Sequence, residues 1–292
     1  MTPGSTASAA AEGGAGIPRA DLERFRDFFY RATGIFFDDG KELVVTRCLK
    51  DRMQATGHAD FLSYFQFLRF RDDGAEFDRL VSGLTVNETY FYREDYQFRC
   101  LVESVLPEVM DRKRPGEPVR IWSIPCSTGE EPYSIAIQLL EAWPRVDTVE
   151  VEIHASDIDV AAVERAREGL YGAYAVRNLE ARVLARYFNR THAGKYRIHQ
   201  ALRGSIDFRA GNLVDPSLPN GLPSFDVIFC RNMLIYFDDR SRRLAAQNLY
   251  DVLAPGGFVF LGHAESMSRI TSLFEARRFP AAFAYQKPEG AQ

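Results

Sequence analysis

Residues 119–137, VRIWSIPCSTGEEPYSIAI, constrain the fold more than any other part of the chain. Residues 119–122 form a short apolar run bounded by Pro118, the pattern of a strand. Small and turn-forming residues occupy 123–129. Glu130, Glu131 and Pro132 then lead into an apolar period through Tyr133, Ile135, Ala136, Leu139 and Leu140, which marks a helix start. Strand, tight polar turn and helix make the ligand-cradling corner of a doubly wound α/β sheet.

The chemistry of that turn narrows the ligand. A dinucleotide-binding corner carries several glycines so that backbone N–H groups can approach a pyrophosphate. Here there is one glycine, Gly129, and two carboxylates where phosphate would sit. Negative charge repels phosphate but suits a cationic ligand with amine and hydroxyl donors, and S-adenosylmethionine is such a ligand. The competing reading is an ordinary strand-to-helix turn, with Glu130 and Glu131 only complementing the helix dipole.

With 292 residues the chain holds one large or two modest domains. Its net charge of −4 supplies no basic field for nucleic acid or an anionic membrane surface. Cys48, Cys100, Cys126 and Cys230 have neither CxxC nor metal-ligand spacing and read as small core residues of a reducing compartment. No apolar run approaches the ~20 residues that span a bilayer, and the N-terminus lacks signal-peptide order. A cytoplasmic protein is expected, with no metal site, no nucleic-acid partner and no integral membrane segment.

Residues 1–16, almost all Ala, Gly, Ser, Thr and Pro, read as a disordered tail. Helical spacing then runs through 17–84 in four short segments, the last three over 40–56, 59–70 and 75–84, which predicts a small antiparallel bundle. Arg47 and Lys50 share a helix face with Lys41 nearby, either a docking surface for an acidic partner or a solvated face. Residues 85–94, TVNETYFYRE, alternate polar side chains with three aromatics. They read as a linker pinned against something, with Asn87, Thr89 and Arg93 able to face a ligand while Tyr90, Phe91 and Tyr92 wedge. Residues 96–112 continue as an amphipathic helix.

A second strand is expected over 149–155, ending near Asp157, where doubly wound nucleoside-binding folds place an acceptor for ribose hydroxyls. Asp159 reads as the cap of the helix over 160–168, and a capping role is the alternative for Asp157. Another helix is expected at 178–188. Residues 195–199 and 205–209 look like two strands, forming either a hairpin off the main sheet or, for the second, a main-sheet strand leading to Asn212. Residues 225–230 are almost wholly apolar, hence a strand buried on both faces. The Arg231-Asn232 pair and Tyr236 that follow read as an active-site lip. Asp238 or Asp239 starts a helix over 240–253, a strand follows at 258–262, and 273–286 suits a closing strand pair.

Five stretches, TVNETYFYRE (85–94), IWSIPCSTGEEPYSIAI (121–137), ASDID (155–159), FDVIFCRNMLIYFD (225–238) and LAPGGFVFLGHAES (253–266), resemble in order and register the CheR-type chemotaxis receptor methyltransferases. The resemblance covers nearly the whole chain beyond the tail. It implies an α/β fold: a Rossmann-like S-adenosylmethionine-dependent methyltransferase domain over 95–292, with a small inserted antiparallel β-subdomain at about 189–210. An all-α N-terminal helical domain (17–84) precedes it, joined by a linker (85–94) that contributes to the cofactor site. It further implies methylation of glutamate side chains on chemoreceptor cytoplasmic helices, giving γ-glutamyl methyl esters and S-adenosylhomocysteine. By position, the cofactor set is Asn87, Thr89, Arg93, Glu131, Asp157, Asn212, Leu213, Asn232 and Met233. Arg93 and Tyr236 are the candidates for placing the substrate carboxylate.

A glutamate carboxylate, with an ordinary pKa of about 4.3, is already a nucleophile at neutral pH, so no general base is required. In-line positioning carries the expected mechanism. Pro125 departs from the family, where Gly or Ala is frequent, and removes one backbone donor from the turn. Residues 189–195, NRTHAGK, are shorter than the Gly-rich loop of members that dock on a receptor C-terminal pentapeptide, so no such tether is expected. The helix carrying Arg47, Lys50 and Arg52 is less basic than in some relatives. Outside this reading stand an S-adenosylmethionine-binding regulatory module and a methyltransferase with a different protein target.

Overall fold

A computed structural model describes residues 17–280 and 282–290; the tail read at 1–16 lies outside the described residues. Four helices come first: α1 (Arg19–Thr33), α2 (Glu42–Ala55), α3 (Phe61–Phe70) and α4 (Ala75–Leu84). α1 ends at Gly34, whose φ of 75° is left-handed and whose N–H reaches the Tyr30 carbonyl. A β-carbon at Gly34 would come within 2.6 Å of the Val214 side chain. On α2, Arg47 and Lys50 are exposed. Arg52 instead turns inward and binds Glu76 through two hydrogen bonds of 2.9 and 2.6 Å. Glu76 also accepts from the Tyr64 hydroxyl, so Arg52 belongs to the packing of the bundle rather than to its charged face.

Past the linker, α5 (Asp95–Cys100) passes through a π-helical turn (Leu101–Val105) into α6 (Leu106–Arg112). β1 (Val119–Ser123), α7 (Glu130–Ala142), β2 (Val151–Asp157) and α8 (Val160–Glu168) form the expected crossover. Then come β3 (Leu170–Tyr171), α9 (Ala181–Tyr187), β4 (Phe188–Arg190), β5 (Tyr196–Ile198), α10 (Gln200–Gly204) and β6 (Ile206–Ala210). β7 (Phe225–Cys230), α11 (Asp239–Val252), β8 (Leu253–Leu261), β9 (Glu275–Arg278) and β10 (Phe283–Gln286) complete the described chain.

The main sheet has the order β6-β2-β1-β7-β8-β10-β9, and β3-β5-β4 make a separate antiparallel sheet. Of residues 189–210, expected as the inserted subdomain, β5 becomes the central strand of the small sheet. β6 does not join it: Ile206–Ala210 pair in parallel with 153–157 of β2. The residues between those two expected strands are helical in α10. Alternation along 205–209 fits either a hairpin or a sheet-edge strand, and β2 offers an open edge beside it.

Every residue of β7 is buried. Its side chains alternate from Val227 onward, after a register irregularity between Phe225 and Val227, with Val227 and Phe229 packing with Phe98, Leu101 and Ile135 on one face. Phe225 and Ile228 pack with Trp122 and Leu249 on the other, and this second core runs on into Phe25, Phe29, Leu49 and Leu80 of the bundle. The four N-terminal helices therefore bury their apolar stripe in a core shared with one face of the sheet. Among the described residues no helix is long and apolar enough to cross a membrane.

Candidate functional site

From β1 the sheet grows outward through β2 to β6, and the chain then returns to lay β7 on the other side of β1. Strand order reverses between β1 and β7, and ligands of doubly wound sheets bind in the crevice beyond the strand ends at such a point. A cavity of about 110 Å³ opens there. Thr89, Arg93, Glu131, Arg231, Asn232 and Tyr236 stand in its wall.

The turn after β1 is held from several sides. Gly129 has φ 93°, and a β-carbon there would lie 2.9 Å from that of Ala166, so only glycine fits. Ser127, with φ 46°, donates its N–H to Asp157 at 2.7 Å. Asp157 also accepts the Asp159 N–H at 2.9 Å and does not cap α8; Asp159 does, through the Ala162 N–H. Burial raises the Asp157 carboxyl to about 6, against the backbone donors that favour its anion. The Ile124–Pro125 peptide is cis.

Glu130 and Glu131, adjacent in sequence, part in space. Glu130 is buried and accepts from the Thr128 hydroxyl at 2.6 Å. Glu131 faces the cavity, accepting from the Ser123 hydroxyl at 2.7 Å and from Arg231 at 2.9 Å. Burial pushes the Glu131 carboxyl above its ordinary value, with Arg231 and Ser123 opposing. Arg231 also donates to the Arg93 carbonyl at 2.6 Å and lies 3.3 Å from Glu94, while its Nε is buried with no partner.

The lip after β7 bends through Asn232, at φ 57°. Glu265 fixes it by accepting N–H groups of Asn232, Leu234 and Gly262 at 2.8, 2.7 and 2.9 Å. Tyr236 at the end of this lip is half-buried; burial raises its phenol pKa and Arg93 partly offsets that, so the hydroxyl stays protonated at neutral pH.

The linker aromatics wedge against the small sheet rather than between the bundle and the main sheet. Phe91 is fully buried and meets Tyr171 and Phe188 edge-on, with ring centroids 4.8 and 5.2 Å apart. Arg177 lies 3.6 Å from the Tyr90 centroid and 3.7 Å from that of Tyr174. Arg93 donates to the Glu88 carbonyl at 2.9 Å. Asn87 donates to Asp159 at 2.7 Å and accepts from the Ser127 hydroxyl at 3.1 Å. The non-glycine residues with left-handed φ among the described residues are Tyr92, Glu94, Ser127 and Asn232, all in segments that border the cavity.

Of the residues singled out from sequence, Thr89, Arg93, Glu131, Asn232 and Tyr236 line one cavity. Asn87 and Asp157 stand behind it, joined through Ser127. Asn212 is turned toward α1, donating to the Ala32 carbonyl at 2.9 Å. Leu213 and Met233 are buried in the core. Sequence reading passed over Arg231 as a partner of Glu131, and over Asp159 as more than a cap. Asp159 is fully buried and also holds Asn87 and the Ser82 hydroxyl. Glu265 gave no signal beyond its place in the GHAES stretch. The polar groups suit S-adenosylmethionine: carboxylates to accept from an amine and from ribose hydroxyls, and an unpartnered Arg231 Nε–H to donate to an acceptor.

The model of the CheR methyltransferase SAM-binding domain matches residues 87–283, and that of the CheR methyltransferase all-alpha domain matches residues 20–85. Chemotaxis protein methyltransferase 2 of Vibrio cholerae is 48% identical over 272 residues, covering 93% of this chain and 94% of that one. The chemotaxis protein methyltransferases of Salmonella typhimurium and Escherichia coli are 36% and 35% identical over 261 residues, each covering 88% of both chains.

Proposed function

The chain belongs to the CheR methyltransferase family, and from that premise we propose that it methylates glutamate side chains on the cytoplasmic helices of a chemoreceptor. It is an S-adenosylmethionine-dependent methyltransferase. When bound, S-adenosylmethionine supplies a sulfonium methyl that a carboxylate oxygen can take by in-line displacement, leaving S-adenosylhomocysteine. The proposed cofactor set is Asn87, Thr89, Arg93, Glu131, Asp157, Asn212, Leu213, Asn232 and Met233, of which Leu213 and Met233 bury their side chains in the core and Asn212 turns its amide to α1. Asn87 acts through Ser127, and Glu131 and Asp157 take the amine and the ribose hydroxyls.

The observation that carries the reading is the meeting of Arg93 and Tyr236 with Glu131 in one cavity wall. Arg93 and Tyr236 would orient the acceptor carboxylate, a cation and a neutral O–H donor beside an anion. One cation suffices, because a tighter clamp would blunt the nucleophile. The chain supplies no general base because the acceptor is already ionised at neutral pH. Orientation of this kind is worth ~7–11 kcal/mol at best.

Residues 17–84 form the helical domain, 85–94 a linker contributing to the site, and 95–292 the catalytic domain. The protein acts in the cytoplasm on a receptor it does not capture through a C-terminal pentapeptide. The short β4–β5 turn supports this: Thr191 and Lys195 close it, the Thr191 N–H donating to the Lys195 carbonyl at 2.8 Å. Mass spectrometry of a receptor cytoplasmic fragment after incubation with enzyme and cofactor tests the acceptor. Methyl on glutamate is expected; methyl confined to other residue types contradicts it.

A further inference from the structure

A second cleft, of about 240 Å³, opens between the first turns of α11 and residues 264–270. Arg242, Arg243 and Arg269 stand in its wall, and among the described residues the carboxylates lining it are Asp239 and Glu265. Together they leave two of the three guanidinium groups without a carboxylate partner. Glu265 is turned to the three backbone N–H groups of the lip. Asp239 pairs with Arg242 at 3.3 Å, and Arg242 is held further by its Nε donating to the Leu234 carbonyl at 3.0 Å. Arg243 and Arg269 are exposed, and among the described residues neither has a carboxylate within salt-bridge distance. Two unmatched guanidinium groups thus sit in a concavity on a chain whose net charge is −4.

The cleft adjoins the cofactor cavity. Ile235, 48% exposed, lines both and forms the ridge between them. A polypeptide that presents one carboxylate to Arg93 and Tyr236 must pass over or beside this ridge. Its neighbouring side chains then reach the Arg243–Arg269 side.

We propose that this cleft receives an acidic side chain of the same polypeptide whose glutamate is methylated, with Arg243 and Arg269 as its partners. The inference rests on the reading of the acceptor as a protein carboxylate. Guanidinium suits this role because its planar donor fork matches a carboxylate. Exposed charges beside a site also speed encounter, and salt screens them. The cleft would therefore select glutamates with an acidic neighbour by lowering KM, leaving cofactor binding and the chemical step unchanged.

The test compares R243E/R269E with R114E/R145E in the full chain. The second pair carries the same charge change on exposed residues near the opposite, amino-terminal ends of β1 and β2. Initial rates are measured against receptor fragment concentration, and S-adenosylhomocysteine affinity is titrated. R243E/R269E should raise KM for the fragment about tenfold, with kcat and S-adenosylhomocysteine affinity near wild type, while the control stays within about twofold. Replacing the acidic neighbours of the target glutamate by glutamine should cost wild type a similar factor and cost R243E/R269E little more. An unchanged KM, or an equal loss in R114E/R145E, overturns the proposal. If wild type does not methylate the fragment, the acceptor reading fails instead. The cleft is then judged by the anisotropy of a labelled glutamate-rich peptide, which R243E/R269E must bind about tenfold more weakly; equal binding overturns it.

Discussion

The Arg231 guanidinium at the end of β7 meets the Glu131 carboxylate at the start of α7, Nη1 to Oε2 at 2.9 Å, across the switch point of the sheet. Side-chain exposure is 3% for Arg231 and 12% for Glu131, so the pair is shielded from water. Removing one partner leaves the other buried without its counter-charge, a loss of about 3–5 kcal/mol in comparable pairs. Arg231→Ala is expected to lower unfolding stability on that scale and S-adenosylhomocysteine affinity by at least about tenfold. Denaturant melts and calorimetric titration check both. Unchanged affinity would show that Arg231 does not set the position of Glu131 for the cofactor.

Asp157 predicts a pH dependence. Burial raises its carboxyl from 3.8 to about 6, so the folded chain binds this proton more tightly than the unfolded chain. The stability this group contributes is present in full below 3.8 and is lost as pH rises through about 6. The ribose hydroxyls proposed for Asp157 donate to its anion, so on that proposal cofactor binding has the opposite preference. S-adenosylhomocysteine affinity should fall below about pH 6, by up to about tenfold per unit, and Asp157→Asn should flatten that slope. Titrations between about pH 5 and pH 8 read it directly.

The corner built by β1, the turn and α7 was legible because strand, turn and helix start are local patterns, and five site residues chosen from it and its neighbours line one cavity. Long-range pairings were not. Arg231 and Glu131 lie a hundred residues apart, and Asn87 and Asp159 seventy-two, so no local spacing announces either pair. β6 illustrates a different limit, since period-two alternation cannot choose between a hairpin partner and the open edge of β2. Nor does the amphipathic pattern of the bundle reveal that it shares its core with a sheet face carrying Trp122 and Phe225.

Arg93 and Tyr236 should separate rate from binding. Arg93→Ala is expected to lose about a hundredfold in kcat while S-adenosylhomocysteine affinity changes far less; Tyr236→Phe, which keeps the ring, should lose about tenfold. Collapse of affinity in step with kcat in Arg93→Ala would place Arg93 with the cofactor alone.

Asp159 joins three segments: it caps α8, accepts from Asn87 at 2.7 Å and holds the Ser82 hydroxyl of α4. Asp159→Ala leaves buried donors without an acceptor and removes a cap, a combined cost of about 2–4 kcal/mol. The cofactor turn loosens with it through Asn87 and Ser127. Loss of stability together with weaker S-adenosylhomocysteine binding is expected; Asp159→Asn should recover part of both.

The most direct measurement follows methyl-labelled S-adenosylmethionine into a receptor cytoplasmic fragment from the same organism. Label that mild base releases as methanol, and that disappears when the target glutamates become alanine, is the predicted result, because only a carboxyl ester behaves this way. Protein-bound label that survives base would contradict glutamate esterification. No label, with S-adenosylhomocysteine still bound, would contradict the receptor as acceptor.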